Sequence, residues 1–197
     1  MKQVDKIITI LLEMPQYYPA QIVYRQDRNF TPISMGNFGR YHTLGEDDTY
    51  IYTRGAAGGY GKAFARDDVK NPTDLGIKPA MTVELRDSLI KGYKQAHSLR
   101  IRQSHASHHV ATKWYLFYVD RMGGIVSDFE HLEGGKALWR SLVNGARSRG
   151  YSMTLQDTVT GQSVDVGRET PDTQIWSKDS GKKQVPRYFQ WVSSTVG

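Results

Sequence analysis

Cysteine is missing from this chain of 197 residues. Its absence excludes a disulfide framework, a thiolate metal site and a cysteine nucleophile, so any bound zinc or iron would need histidine and carboxylate ligands. Long apolar runs are missing as well. The N-terminal run 7–12 covers six residues, far fewer than the roughly 20 that span a bilayer. We therefore expect a cytoplasmic protein, of a cell or of a virus that replicates in one, with no membrane partner.

Acidic residues are absent from the central segment 88–119. A local field of one sign raises the concentration of phosphate-bearing ligands and steers their approach. The segment therefore predicts a surface for a polyanion. Its cations and histidines are Lys91, Lys94, Arg100, Arg102, Lys113, His97, His105, His108 and His109.

Composition indicates an ordinary globular protein. Hydrophobic residues make up 39% of the chain and charged residues 23%, which excludes a disordered or a collagen-like chain. A chain of this length can bury a substantial core. We expect one α+β domain over residues 1–197, or two closely packed halves that meet near residues 99–112. The formal net charge of +6 suits an enzyme as well as a nucleic-acid binder.

Segments rich in β-branched and aromatic residues predict short strands. Residues 151–155 and 163–166 flank Thr160 and Gly161 and predict a hairpin. The other predicted strands are 7–12, 21–24, 49–53, 113–119, 125–129, 174–176 and 188–192. The strongest of these predictions is 113–119, a run of Lys, Trp, Tyr, Leu, Phe, Tyr and Val.

Two helices are predicted from apolar spacing. In residues 82–98, apolar side chains spaced by four, four and three share one face, which leaves Lys91 and Lys94 elsewhere on the cylinder. A second helix is predicted over residues 135–148, closed by Gly150. The fold class that follows is α+β, with a mostly antiparallel sheet backed by two main helices.

The leading functional hypothesis is a nucleic-acid-binding accessory protein, for RNA or single-stranded DNA, of phage or mobile-element origin. Aromatic residues such as Tyr93, Trp114, Tyr115 and Tyr118 would offer stacking surfaces beside the charges. A glycine-rich segment, 54–62, would add two cations that close over the strand. The predicted binding residues are Lys91, Lys94, Arg100, Arg102, His105, His108, Lys113, Arg54 and Lys62.

Catalysis and metal binding are left open by the spacing of the titratable residues. A histidine could act as general base, because imidazole titrates near neutral pH, but the spacing selects none of His42, His97, His105, His108 and His131. Metal ligation by His105, His108 and His109, or Mg²⁺ binding by Asp128, Glu130 and Glu133, would need further ligands from elsewhere. We predict no metal and no cofactor, and assign no catalytic residue.

Residues 133–151 support a different hypothesis. Glu133-Gly134-Gly135-Lys136 and the following helix resemble the glycine-rich loop and helix of the GNAT acetyltransferase family. The resemblance implies an acyl-coenzyme A dependent transferase, with the coenzyme A pyrophosphate cradled by backbone N–H groups at the start of this helix. Acidic Glu130 and Glu133 stand where the family has a Gln or Arg and its first Gly.

A third hypothesis is a structural subunit of a virion or of a ribonucleoprotein assembly, in which aromatic and basic residues contact protein partners. The sequence does not separate these three functions. It also leaves the oligomeric state open.

Overall fold

The computed structural model describes residues 16–26, 35–70, 76–129, 131–158, 160–176 and 187–190. Side chains at 16–20, 107, 108, 147 and 187–190 are outside this description. The fold is mixed α and β, with a large, mostly antiparallel sheet of ten strands and two sizeable helices among these residues. This confirms the predicted fold class.

The strands differ widely in length. Their bounds are β1 Gln16–Gln26, β2 Gly36–Phe38, β3 Tyr41–Glu46, β4 Tyr50–Gly55, β5 Tyr60–Ala65, β6 Met81–Asp87, β7 Lys94–Ile101, β8 Gly124–Val126, β9 Tyr151–Asp157, β10 Ser163–Asp165 and β11 Arg187–Gln190. The order across the sheet is β10-β9-β1-β8-β7-β6-β5-β4-β3-β2. Strand β11 pairs with the first residues of β1.

The order shows how distant parts of the chain are joined. Strands β2 to β7 follow one another as an antiparallel meander. The N-terminal strand β1 lies between β8 and β9 and is antiparallel to both. Its Ile22 and Tyr24 are fully buried. The first described strand therefore becomes an interior strand, which is paired on both edges by later parts of the chain.

Three helices lie among the described residues: α1 Val110–Met122, α2 Glu133–Ala146 and the short α3 Asp172–Ile175. Helix α1 crosses from β7 to β8 and packs on one face of the sheet. Glycine makes this close approach possible at two strand positions. A Cβ at Gly61 would lie 2.1 Å from the Trp114 ring, and one at Gly45 would lie 2.3 Å from the Phe117 ring.

The predicted helix over residues 82–98 is wrong. The segment forms the β6–β7 hairpin, whose turn includes Gly92 in the left-handed region at φ 92°. The residues that face the core are Met81, Val83 and Leu85, at a period of two. Leu89, which the helical pattern placed on the buried face, is 72% exposed. The alternation of apolar residues with a period of two is therefore the pattern that matches the structure of this segment.

The predicted strand over residues 113–119 is also wrong, because this run lies inside helix α1. The buried residues of α1 are Val110, Ala111, Trp114, Tyr115, Tyr118 and Val119. Their alternating spacings of one and three match the helical period. Trp114 stacks on Tyr118 and donates from Nε1 to the carbonyl oxygen of Thr53, 3.0 Å away. Tertiary packing thus overrides the high strand propensity of the run.

Other predictions agree with the structure. The predicted helix 135–148 corresponds to α2, the predicted strand 49–53 to β4, and the predicted hairpin to β9 and β10. The predicted strand at 174–176 is instead largely the short helix α3. The predicted strand 7–12 lies outside the described residues.

Candidate functional site

The sheet opens into a wedge between β7 and β8, which are parallel. They pair only at Lys94 with Ile125 and at Gln95 with Val126. Strand β7 then continues to Ile101 along β6, while the chain leaves β8 after Val126. Within the described part of the chain, no strand pairs with β7 beyond Gln95 on this side. Backbone N–H and C=O groups of alternate residues in 96–101 are therefore open to another partner.

A cavity of about 840 Å³ occupies the wedge. Its size lies in the range of sites for small molecules and cofactors. Strand β7 forms one wall, and the N-terminal ends of α1 and α2 form the others. The residues that line it include Ala96, His97, Leu99, Ile101, His109, Ala111, Tyr115, Asp128, His131 and Gly134.

The wide end of the wedge lies at the N-terminus of α1. The chain leaves β7 at Ile101, makes a 3-10 turn over Gln103–His108, and enters α1 at Val110. His109, the N-cap, is left-handed at φ 51°. The first backbone N–H groups of a helix have no partner within it, and the helix dipole favours an anion there. No acidic residue occupies the first turn of α1, so nothing on the helix itself opposes an anion.

The narrow end of the wedge holds a histidine–carboxylate pair. His97 Nδ1 lies 2.9 Å from Asp128 Oδ2. The other carboxylate oxygen, Oδ1, accepts hydrogen bonds from Gln95 Nε2 and from the backbone N–H of Phe129, each at 2.8 Å. The carboxylate is therefore fixed on both oxygens, and it orients the imidazole. The side chain of His97 is 32% exposed and borders the cavity.

A second histidine, His131, has a structural environment. Its Nε2 lies 3.0 Å from the backbone oxygen of Asp128, to which it donates when protonated there. The ring packs edge-on against Trp139 and Trp176. Burial lowers the pKa of His131 to about 4, and the nearby Asp128 only partly offsets this effect. The imidazole is therefore neutral at physiological pH.

The tyrosine that lines the cavity, Tyr115, also stays neutral. Burial raises the pKa of its hydroxyl far above the ordinary value, and the charge of Asp128 raises it further. Its ring packs edge-on against Trp139 of α2, with centroids 5.4 Å apart. Helices α1 and α2 are thus joined by aromatic contacts directly beneath the cavity.

Several predicted binding residues form ion pairs or hydrogen bonds within the protein. Lys94 pairs with Asp87 at 2.6 Å, Arg102 with Asp68 at 3.0 Å, and Lys113 with Asp47 at 2.6 Å. His105 has a ring nitrogen 2.9 Å from the Tyr50 hydroxyl. These contacts reduce the positive charge that the predicted segment offers to a ligand. The side chain of His108 is outside the description.

The remaining predicted residues do not share one face of the sheet. Arg54 is opposite Gly61, whose Cβ position faces α1, so Arg54 is on the helix-covered face. Lys62 is one position along β5 and therefore lies on the other face, in the same cross-strand row as Arg100. Lys91 is exposed in the β6–β7 turn.

Sequence reasoning did not select the pair at the narrow end of the wedge. In the sequence, His97 is one of five histidine candidates, and Asp128 belongs to an acidic cluster with Glu130 and Glu133. The site can be recognised only once the strands are known. Both residues follow closely after the last paired residues of two parallel strands, and open sheets bind their ligands at such positions.

No metal centre is evident in the part of the chain that the structure describes. Among these residues, no three His, Asp or Glu side chains are grouped as a ligand set. Glu130, one of the acids considered for Mg²⁺, lies outside them. The described helices include none that is long and apolar enough to cross a bilayer.

Comparisons with known proteins give no relative: no family model, no curated protein and no solved structure matches the chain.

Proposed function

We propose that the protein is an acyl-coenzyme A dependent transferase whose donor substrate binds in the wedge between β7 and β8. The observation that carries the proposal is the arrangement of three features along one cavity: an open strand edge, a helix N-terminus at the wide end and a histidine–carboxylate pair at the narrow end. Each feature suits one part of an acyl-coenzyme A molecule.

The open edge of β7 suits the pantetheine arm. This arm is a narrow chain with two amide groups, which can donate to and accept from the backbone as an added strand would. The open part of β7, residues 96–101, is about 20 Å long at the usual rise of a strand. Bound there, the arm would satisfy backbone groups that have no strand partner in the described residues.

The N-terminus of α1 suits the diphosphate. The N–H groups of Val110, Ala111 and Thr112 have no acceptor within the helix, whose first i to i−4 bond is that of Lys113, and together with the positive end of the helix dipole they favour an anion at this point. The resemblance in residues 133–151 implied a diphosphate at the start of α2 instead. Glu133 lies in the first turn of α2, where its charge would repel an anion, so the proposal puts the diphosphate at α1.

The narrow end suits the thioester. An acyl group carried down the wedge would reach His97 and Asp128 after the diphosphate and the arm have taken their positions. The walls of this end are aromatic and buried, with Tyr115 and Trp139 beneath it. Exclusion of water there would protect the thioester from hydrolysis.

Ligand-dependent thermal unfolding tests the proposal. Acetyl-coenzyme A at about 100 times its dissociation constant adds about 2.7 kcal/mol to the free energy of unfolding, which corresponds to a rise in Tm of roughly 5 to 10 °C. Gly134→Trp, which adds a large ring at the cavity wall, should abolish the shift. Gly134 has open space beside it, so the variant is expected to fold.

Gly59→Trp is the matched control for this experiment. Gly59 also has open space beside it but lies outside the cavity. The control variant should keep the full rise in Tm. No shift with acetyl-coenzyme A in the unchanged protein, or an equal loss in both variants, would contradict the proposal.

Nucleic-acid binding is a second candidate function. The observation in its favour is the row on the sheet face opposite α1, where Lys62 and Arg100 occur together. The Lys62 Nζ lies 5.3 Å from the ring centroids of both Tyr41 and Tyr60. A cation beside aromatic rings is the combination that binds unpaired bases. A structural role in a virion or ribonucleoprotein, and a phage origin, stay predictions without a supporting contact.

A further inference from the structure

His97 has the orientation that a general base requires. Its Nδ1 is directed at the carboxylate of Asp128, 2.9 Å away, so the proton of a neutral ring resides on Nδ1. The lone pair is then on Nε2, on the opposite edge of the ring. His97 lines the cavity, so this nitrogen is the basic atom available to a ligand at the narrow end.

Asp128 is restrained so that it can hold this orientation. Gln95 and the Phe129 N–H occupy Oδ1, which leaves Oδ2 for the histidine. Gln95 is buried and belongs to the last residue pair between β7 and β8. The same position at which the two strands separate therefore fixes the carboxylate, and through it the imidazole.

We infer that His97 is the general base of the transferase and removes a proton from the nucleophilic atom of the acceptor, with Asp128 as its positioning residue. This inference depends on the function proposed above. It adds the group that removes a proton and the tautomer that this group needs.

The reaction balances with groups that the site and its substrates supply. His97 Nε2 takes a proton from the nucleophilic atom of the acceptor while that atom attacks the carbonyl carbon of the thioester. A bond between this atom and the acyl carbon forms and the C–S bond breaks, with the sulfur leaving as a thiolate. The imidazolium of His97 then returns the proton to the sulfur, so the products are the acylated acceptor and free coenzyme A.

Two other histidines line the cavity. His109 is the N-cap of α1, at the wide end and not at the narrow end. His131 does not fit this role. The Nε2 of His131 is engaged with the backbone oxygen of Asp128, and its ring is packed between Trp139 and Trp176. His131 is only 7% exposed, against 32% for the side chain of His97. Access to a substrate therefore favours His97.

A reactive analogue tests the inference without knowledge of the natural acceptor. Bromoacetyl-coenzyme A carries an electrophilic carbon at the position of the acyl group. A nucleophilic imidazole nitrogen displaces the bromide and retains the label, which peptide mass spectrometry locates. Because the chain has no cysteine, no thiol competes for the label. We expect one adduct, on His97, whose formation is blocked by excess acetyl-coenzyme A.

Two variants test whether the labelling depends on His97 and Asp128. His97→Gln should lose the label, and Asp128→Asn should slow labelling by at least ~10-fold, because the amide no longer fixes the tautomer. Both should still bind acetyl-coenzyme A in the thermal assay. His42→Gln is the control: His42 contacts Asn37 outside the cavity, so its removal should leave labelling of His97 unchanged.

The possible failures are distinguishable. Binding of bromoacetyl-coenzyme A that leaves His97 unmodified, or that labels another residue, would overturn the role of His97 and leave the proposed function standing. Absence of binding by either coenzyme A derivative would overturn the proposed function, and the inference with it. Labelling of His97 at the same rate in Asp128→Asn would remove the positioning role of Asp128.

Discussion

His97 and His131 both line the cavity, but they differ in burial. His131 is enclosed by Trp139 and Trp176, and enclosure favours the neutral ring. His97 keeps an exposed edge and a carboxylate partner. The same residue type therefore packs against aromatic rings at one position and borders the cavity with an exposed edge at the other.

Burial of His131 predicts a loss of stability in mild acid. The folded state keeps this ring neutral down to about pH 4, whereas an ordinary histidine takes up its proton near 6.5. Between these values the unfolded chain binds more protons. As far as His131 is concerned, the free energy of unfolding therefore has its full value above pH 6.5. It falls as the pH drops toward 4, by up to about 1.4 kcal/mol per pH unit.

Urea unfolding at pH 7, 6 and 5 measures this dependence. His131→Gln should unfold more easily at pH 7 and show a weaker dependence on pH over the same window. His42→Gln should retain the dependence of the unchanged protein. An equal slope in the protein with and without His131 would show that other groups cause the acid sensitivity.

At the scale of elements, the β3–β4 turn holds helix α1 against the sheet through Asp47. Its Oδ1 accepts from the backbone N–H groups of Thr49 and Tyr50, each at 2.8 Å. Its Oδ2 accepts from the Tyr52 hydroxyl at 3.0 Å and from Lys113 of α1 at 2.6 Å. Burial opposes the charge, but these hydrogen bonds outweigh it and lower the pKa of Asp47 to about 2.

Asp47→Ala should therefore destabilise the protein more than an ordinary surface change. The substitution leaves two backbone donors, a buried phenol and a lysine without their acceptor, and we expect a loss of roughly 2 to 4 kcal/mol. Asp48→Ala, at the exposed next position, should change the free energy of unfolding by less than about 0.5 kcal/mol. Chemical denaturation of both variants gives the comparison, and equal effects would contradict the role of Asp47.

At the scale of the whole molecule, the net charge of +6 is distributed rather than concentrated. Lys94, Arg102 and Lys113 are each paired with a carboxylate. Lys62 and Arg100 lie in one row on the face opposite α1. If the protein binds a single strand, this row is where phosphates would lie.

Binding of a labelled single-stranded oligonucleotide as a function of salt tests this second function. Affinity should fall steeply with salt, and the double variant Lys62→Ala, Arg100→Ala should reduce the logarithmic salt slope by about 1 to 2. Arg168→Ala, which removes an exposed cation after β10, should leave affinity nearly unchanged. Absent or salt-insensitive binding would remove nucleic-acid binding from consideration.

The predictions that agree with the structure come from segments in which the sequence shows only one periodicity or turn pattern. Helix α2 has a buried stripe of Trp139, Leu142, Val143 and Ala146 at helical spacing, and the β9–β10 hairpin has a glycine turn between short strands. Two of the wrong assignments occur where signals compete. Apolar residues spaced by four concealed the period-2 alternation of β6, and aromatic strand formers concealed the helical spacing of α1.

The sequence by itself determined the fold class, the absence of cysteine chemistry and the excess of positive charge, because composition and short-range periodicity carry this information. Only the tertiary structure decided where β7 and β8 separate, and that separation brings His97 within 2.9 Å of Asp128. Contacts between residues far apart in the chain depend on strand order, and no local pattern encodes the insertion of β1 between β8 and β9. The cavity and the His97–Asp128 pair are therefore consequences of topology.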